Sequence, residues 1–111
     1  MLAAVDGNAL LGWLVLDRNP SKLTAHWGRV TRVQTKLAIR GSGVGRGLMS
    51  EVARIARDEL GLEQLHIELR GGQGLEAFYV SCGWQEVGRW PSALRFGPKD
   101  DRDEILMLIS L

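Results

Sequence analysis

Apolar positions along this chain alternate, cluster or recur every third to fourth residue, and each regime predicts a different element. The stretch from Met1 to Asp17 reads as two strands around a turn. Asp6-Gly7-Asn8 supplies the turn chemistry and Leu10 to Leu16 the apolar run. Arg18 to Lys22 is a loop punctuated by Pro20, and the β-branched stretch His26 to Thr35 is a third strand. From Gly43 to about Glu59 the period changes. Val44, Leu48, Val52 and Ile55 share one helical face, while Arg46, Glu51, Arg54 and Asp58 fall largely elsewhere. Glu51 with Arg54, and Arg54 with Asp58, are spaced to pair across a turn, and Gly61 stops the helix.

Alternation returns in Leu62 to Leu69, where Leu65, Ile67 and Leu69 interleave with His66 and Glu68. Arg70 to Gly74 is a loop, and Leu75 to Cys82 a short helix ended by Gly83. Trp84 to Trp90 is a strand stopped by Pro91, Pro91 to Arg102 a long connection, and Asp103 to Leu111 a last strand. The order is three strands, helix, strand, helix, two strands. Its central strand–helix–strand unit predicts a parallel pair within a mixed α/β sheet.

Composition narrows the class. The chain has 111 residues, without repeat, low-complexity segment or linker, so one domain over 1–111 is expected. A hydrophobic fraction of 45% and a charged fraction of 24% suit an ordinary globular protein. A net charge of +1 gives no strong attraction to nucleic acid or membrane. Apolar runs fall well short of the ~18 residues of a membrane span, and the start lacks the pattern of a signal peptide. A single cysteine, Cys82, excludes an internal disulfide and a cysteine-rich metal site. A cytoplasmic location is the expectation.

The densest chemistry lies at Gly41, Gly43, Gly45 and Gly47, at the mouth of the long helix. A helix start offers amides without intrahelical partners and a favourable dipole for an anion. Glycines let a phosphate approach that backbone closely, although they also serve in plain sharp turns. G-x-G-x-x-G fails, because its last position falls on Arg46 or Leu48. The P-loop pattern fails at the same places, and no lysine follows.

Arg40-x-x-Gly43-x-Gly45 does fit a pattern. It resembles the acetyl-CoA pyrophosphate signature of the GNAT superfamily of N-acetyltransferases, set between a strand and a long helix as that family requires. A second block, Leu75 to Arg89, is similar to the family's later motif: a tyrosine on a short helix, here Tyr79, shortly before a glycine–aromatic pair, here Gly83-Trp84. The resemblance implies a mostly antiparallel twisted sheet whose central strands splay apart, with the pantetheine arm between the third strand and the strand of Leu65 to Leu69.

It also implies roles. Amides of Gly43, Val44, Gly45 and Arg46 would hold the pyrophosphate, with Arg40, Gly41 and Ser42 in the same turn. Gln34 and Thr35 would present backbone groups to the pantetheine, and an amide near Thr35 would polarise the acetyl carbonyl. Tyr79 would donate a proton to the leaving sulfur. The base stays open between Glu68, His26, a water relay and no dedicated base.

The family's usual asparagine falls near Gly72, and Gln73 is the substitute. Members also begin with a strand and helices that wall the acceptor site, and the chain starts after them. A homodimer covering that side is expected. The implied activity is acetyl transfer from acetyl-CoA to a small-molecule primary amine in a ternary complex. A CoA-binding module without efficient transfer, or a structural dimer, is the alternative. Cys82 reads as a small packed hydrophobe. Trp90 and Phe96 border the long connection, and Arg89 and Arg95 there are candidates to attract an anionic acceptor.

Overall fold

The computed structural model describes residues 2–6, 9–35 and 43–111. The fold is mixed α/β, and the sheet is mostly antiparallel with a parallel pair, as expected. The chain forms two compact units, Met1–Leu65 with Leu111, and His66–Ser110.

The first unit holds β1 (Leu2–Asp6), β2 (Ala9–Arg18), β3 (Trp27–Thr35) and helix α1 (Val44–Arg54). The three strands pair antiparallel in sequence order. Asp6 pairs with Ala9, as a tight hairpin requires, although Gly7 and Asn8 lie outside the described residues. Helix α1 packs on this sheet through Leu48, Met49 and Val52. Ala56 continues that buried stripe, while Val44 and Ile55 sit half-buried at its margin.

The end of the helix departs from regular α geometry. Beyond Arg54 the helix widens into one π-helical turn, Ile55–Glu59, and Leu60 N–H reaches the Ile55 carbonyl at 3.1 Å. The wider turn also redraws the expected ion pairs. Arg54 does hold Glu51, but its next partner is Glu59 at 3.8 Å, while Asp58 pairs with Arg57 at 2.8 Å. In a π turn the residue five along, not four, comes round to the same face. Gly61 ends the helix at φ +66°, and Leu62 N–H closes back on the Ala56 carbonyl at 2.8 Å.

Strand β4 (Gln64–Arg70) begins at the end of the first unit and lies mainly in the second. Leu65, Ile67 and Leu69 are all buried, as the alternation predicts. The second unit adds α2 (Leu75–Ser81), β5 (Gln85–Gly97) and β6 (Asp100–Ser110), in strand order β4–β6–β5.

The region after Trp90 departs from the expectation. Pro91 does not stop β5, and Pro91 to Arg102 is not a long connection. It is the outer half of a hairpin whose two-residue turn is Pro98-Lys99, with Gly97 facing Asp100. Lys99 has φ +63°, the sign a type II turn demands after proline. Proline survives because β5 is an edge strand and bulges there: Trp90 faces Glu104, but Leu94 faces Arg102. Asp103 fills the gap in the ladder. Its carboxylate accepts the Ser92 N–H at 3.0 Å and pairs with Arg89 at 3.2 Å.

Candidate active site

Two local arrangements in the first unit coincide with the predicted cofactor residues. The first is a bulge in β3. Trp13 faces Gln34, but Val15 faces Thr31, so two steps on β2 meet three on β3. Arg32 takes up the extra residue at φ +54°, a left-handed conformation that costs a non-glycine residue on the order of 1–2 kcal/mol. A bulge re-aims the backbone groups beside it. Those groups belong to Arg32 and Val33, and Gln34 and Thr35 follow directly, paired with Trp13 and Gly12 at the end of β3. Nothing in the sequence signals the bulge, since arginine has no preference for that conformation.

The second is the start of α1. Gly43 caps the helix at φ +93°, ψ 0°, with no capping side chain and no carboxylate in the first turn. The first helical hydrogen bond runs from Gly47 N–H to the Gly43 carbonyl at 2.9 Å. The amides of Val44, Gly45 and Arg46 therefore precede the ladder. A Cβ placed on Gly43 would meet no atom of the described residues within 4 Å. Arg46 is exposed on the same turn. Arg40, Gly41 and Ser42 lie outside the described residues.

In the second unit Tyr79 is 5% exposed on α2. Its ring meets Phe78 and Trp84 edge-on, with centroids at 5.1 and 5.9 Å. The Tyr79 carbonyl accepts the amides of Cys82 and Trp84, both at 3.0 Å, which pins the helix end to the start of β5. Desolvation, with a smaller contribution from Cys82, pushes the Tyr79 phenol up to about 12. The phenol thus stays neutral throughout the physiological range. Cys82 is a half-buried free thiol, in keeping with a packing role.

Glu68 is exposed on β4, on the strand face opposite Leu65, Ile67 and Leu69, and His26 is exposed just ahead of β3. Gln73 is exposed in a loop whose glycines are tightly constrained. A Cβ on Gly71 would lie 2.9 Å from the Asp103 carbonyl, and Gly72 has φ +82°. Among the tryptophans, Trp84 is buried and Trp90 is 67% exposed. The two arginines expected to attract an anion are neutralised. Arg89 pairs with Glu86 and Asp103, and Arg95 holds Asp101 through two hydrogen bonds at 2.6 and 2.9 Å.

The Acetyltransferase (GNAT) family model matches residues 1–84. The chain belongs to the GNAT family. Solved structures agree at the level of fold. A ribosomal-protein-alanine N-acetyltransferase from Brucella melitensis is 23% identical, with a TM-score of 0.83 over 98% of this chain and 67% of its own. A GNAT-family acetyltransferase from Streptococcus pneumoniae is 17% identical, with a TM-score of 0.88 over 98% of this chain and 65% of its own. A Bacillus subtilis acetyltransferase in complex with CoA is 18% identical, with a TM-score of 0.80 over 98% of this chain and 74% of its own. This GNAT chain thus spans 65% to 74% of the length of these three. No helix among its described residues is long and apolar enough to cross a membrane.

Proposed function

We propose that this GNAT chain transfers the acetyl group of acetyl-CoA to a primary amine of a small molecule, by direct attack within a ternary complex. The observation that carries the reading is the bare start of α1. A left-handed glycine cap, with no side-chain cap and no Cβ contact among the described residues, suits a pyrophosphate on the amides of Val44 to Arg46. The β3 bulge supports it, because it re-aims backbone beside Gln34 and Thr35, where the family motif expects pantetheine contacts and the amide that polarises the acetyl carbonyl.

In this reading the amine attacks the thioester carbon, the C–S bond breaks, and CoA leaves as a thiolate. The Tyr79 phenol sets a limit on its own role. Full transfer from a phenol near 12 to a thiolate of ordinary basicity is uphill by about 5 kcal/mol. Tyr79 therefore serves as a hydrogen-bond donor to the developing thiolate, and the proton that finally reaches sulfur is the one lost by the amine. Glu68, exposed on β4, is the carboxylate assigned to accept that amine proton.

Calorimetric titration with acetyl-CoA, with ATP as a comparison, tests the cradle. Micromolar acetyl-CoA binding is expected, and no binding at millimolar ligand would refute it. Tyr79→Phe then separates an enzyme from a mere CoA-binding module. Turnover is expected to fall about tenfold to a hundredfold with CoA affinity unchanged, as for the loss of a hydrogen bond made mainly in the transition state.

A further inference from the structure

Three of the arginines in the second unit are cancelled by carboxylates: Arg89 by Glu86 and Asp103, Arg95 by Asp101, and Arg102 by Asp100. Arg70, the last residue of β4, differs. It is exposed, and among the described residues it makes no ion pair. It is nevertheless held in place, because its guanidinium carbon lies 5.4 Å from the centroid of the Phe96 ring. Arg102 lies against the same ring at 4.7 Å, and its stem runs along Gly72, where a Cβ would sit 3.5 Å from Arg102 Cδ. Two guanidiniums thus converge on one half-exposed phenylalanine, and Asp100 offsets only one of them. A cation fixed by an aromatic ring loses less freedom on binding an anion than one on a free stem.

The strand adds a second group. Glu68 precedes Arg70 by two residues, on the same face of β4 and about 7 Å away along the strand. A carboxylate and an uncancelled guanidinium at that spacing complement a small molecule that carries an ammonium and a carboxylate close together.

We infer that Arg70, seated on Phe96 beside Arg102, is a carboxylate subsite, and that the ligand it selects is an amino acid with its amine directed to Glu68. Identifying that ligand with the acetyl acceptor rests on the acetyl-transfer reading; the subsite itself does not. The acceptor class is then an amine bearing its own carboxylate, and simple alkyl amines are poor ligands.

The test uses the full chain and a panel of free amino acids with their matching α-carboxamides, followed by NMR shifts of the backbone amides near Arg70 and Phe96. At least one acid is expected to bind tenfold or more tightly than its amide. Arg70→Gln should abolish that preference, and Arg95→Gln, which removes a cation already held by Asp101, should leave it intact. Binding of no acid, equal binding of acid and amide, or a preference that survives Arg70→Gln would overturn the subsite. Acetyl-CoA titration of Arg70→Gln should match the unaltered chain. A weakened cofactor with intact acid binding would instead give Arg70 to a CoA phosphate, and would also overturn the proposal. If the unaltered chain fails to bind acetyl-CoA while the acid preference holds, the acetyl-transfer reading fails alone.

Discussion

At the scale of single residues, Tyr79 makes the sharpest claim, because it is the only tyrosine in the chain and its ionisation can be read without assignment. Burial raises its phenol from 10 to about 12. Below pH 10 native and unfolded chains both hold the proton. Between about 10 and 12 the unfolded chain has lost it and the native chain has not, so the unfolded state binds fewer protons and stability falls as pH rises. The loss over that window is about 2–3 kcal/mol. At about pH 11 phenolate absorbance is therefore expected only after urea unfolds the protein, and Tyr79→Phe should flatten the stability profile above pH 10. A native phenol half-ionised near pH 10 would mean that water reaches the hydroxyl freely, and the argument that limits Tyr79 to a hydrogen bond rather than full proton transfer would fail.

At the scale of elements, the contrast between two glycines of α1 isolates conformation from space. Neither would place a Cβ within 4 Å of an atom of the described residues, so neither substitution clashes with them. Gly43 has φ +93°, and Gly47 lies within the helix. Gly47→Ala should stabilise the protein by about 0.5–1 kcal/mol, since alanine loses less entropy in a helix. Gly43→Ala should destabilise it by about 1–2 kcal/mol and weaken acetyl-CoA, because the cap must leave the left-handed region. Urea midpoints on the two variants check both signs, and matching signs would dismiss the cap geometry. This helix was legible because its period and its glycine stop act locally. The π turn was not, since nothing in the spacing of Ile55 to Glu59 distinguishes a five-residue from a four-residue hydrogen-bond step. The β5–β6 hairpin was misread for a different reason. Proline is a strong local stop, but an edge strand needs fewer ladder bonds, and Asp103, more than ten residues further along the chain, supplies the missing acceptor. The glycine turn and Tyr79 were legible as motifs. The β3 bulge and the Arg70–Phe96–Arg102 cluster exist only once strands are paired.

At the scale of the whole molecule, the chain has two compact units, while its sequence predicts one domain over 1–111. Each unit has its own buried residues, Leu14, Val30 and Val52 in the first and Ile105, Met107 and Trp84 in the second. A ligand that binds only the native state stabilises whatever unfolds together with its site. At about a hundredfold excess over its dissociation constant, acetyl-CoA should add about 2.7 kcal/mol. For a chain of this size that is a rise in Tm of roughly 10 °C. The residues proposed to hold the pyrophosphate all lie in the first unit, so the second is the informative one. If residues 1–111 behave as a single domain, hydrogen exchange should slow in peptides containing Leu14 and in peptides containing Ile105, by similar factors, when acetyl-CoA is added. Protection confined to the Leu14 peptides would show that the units open independently. The cofactor would then stabilise only the unit that carries the glycine turn, and Tyr79 would have to reach the thioester from a unit the cofactor does not hold.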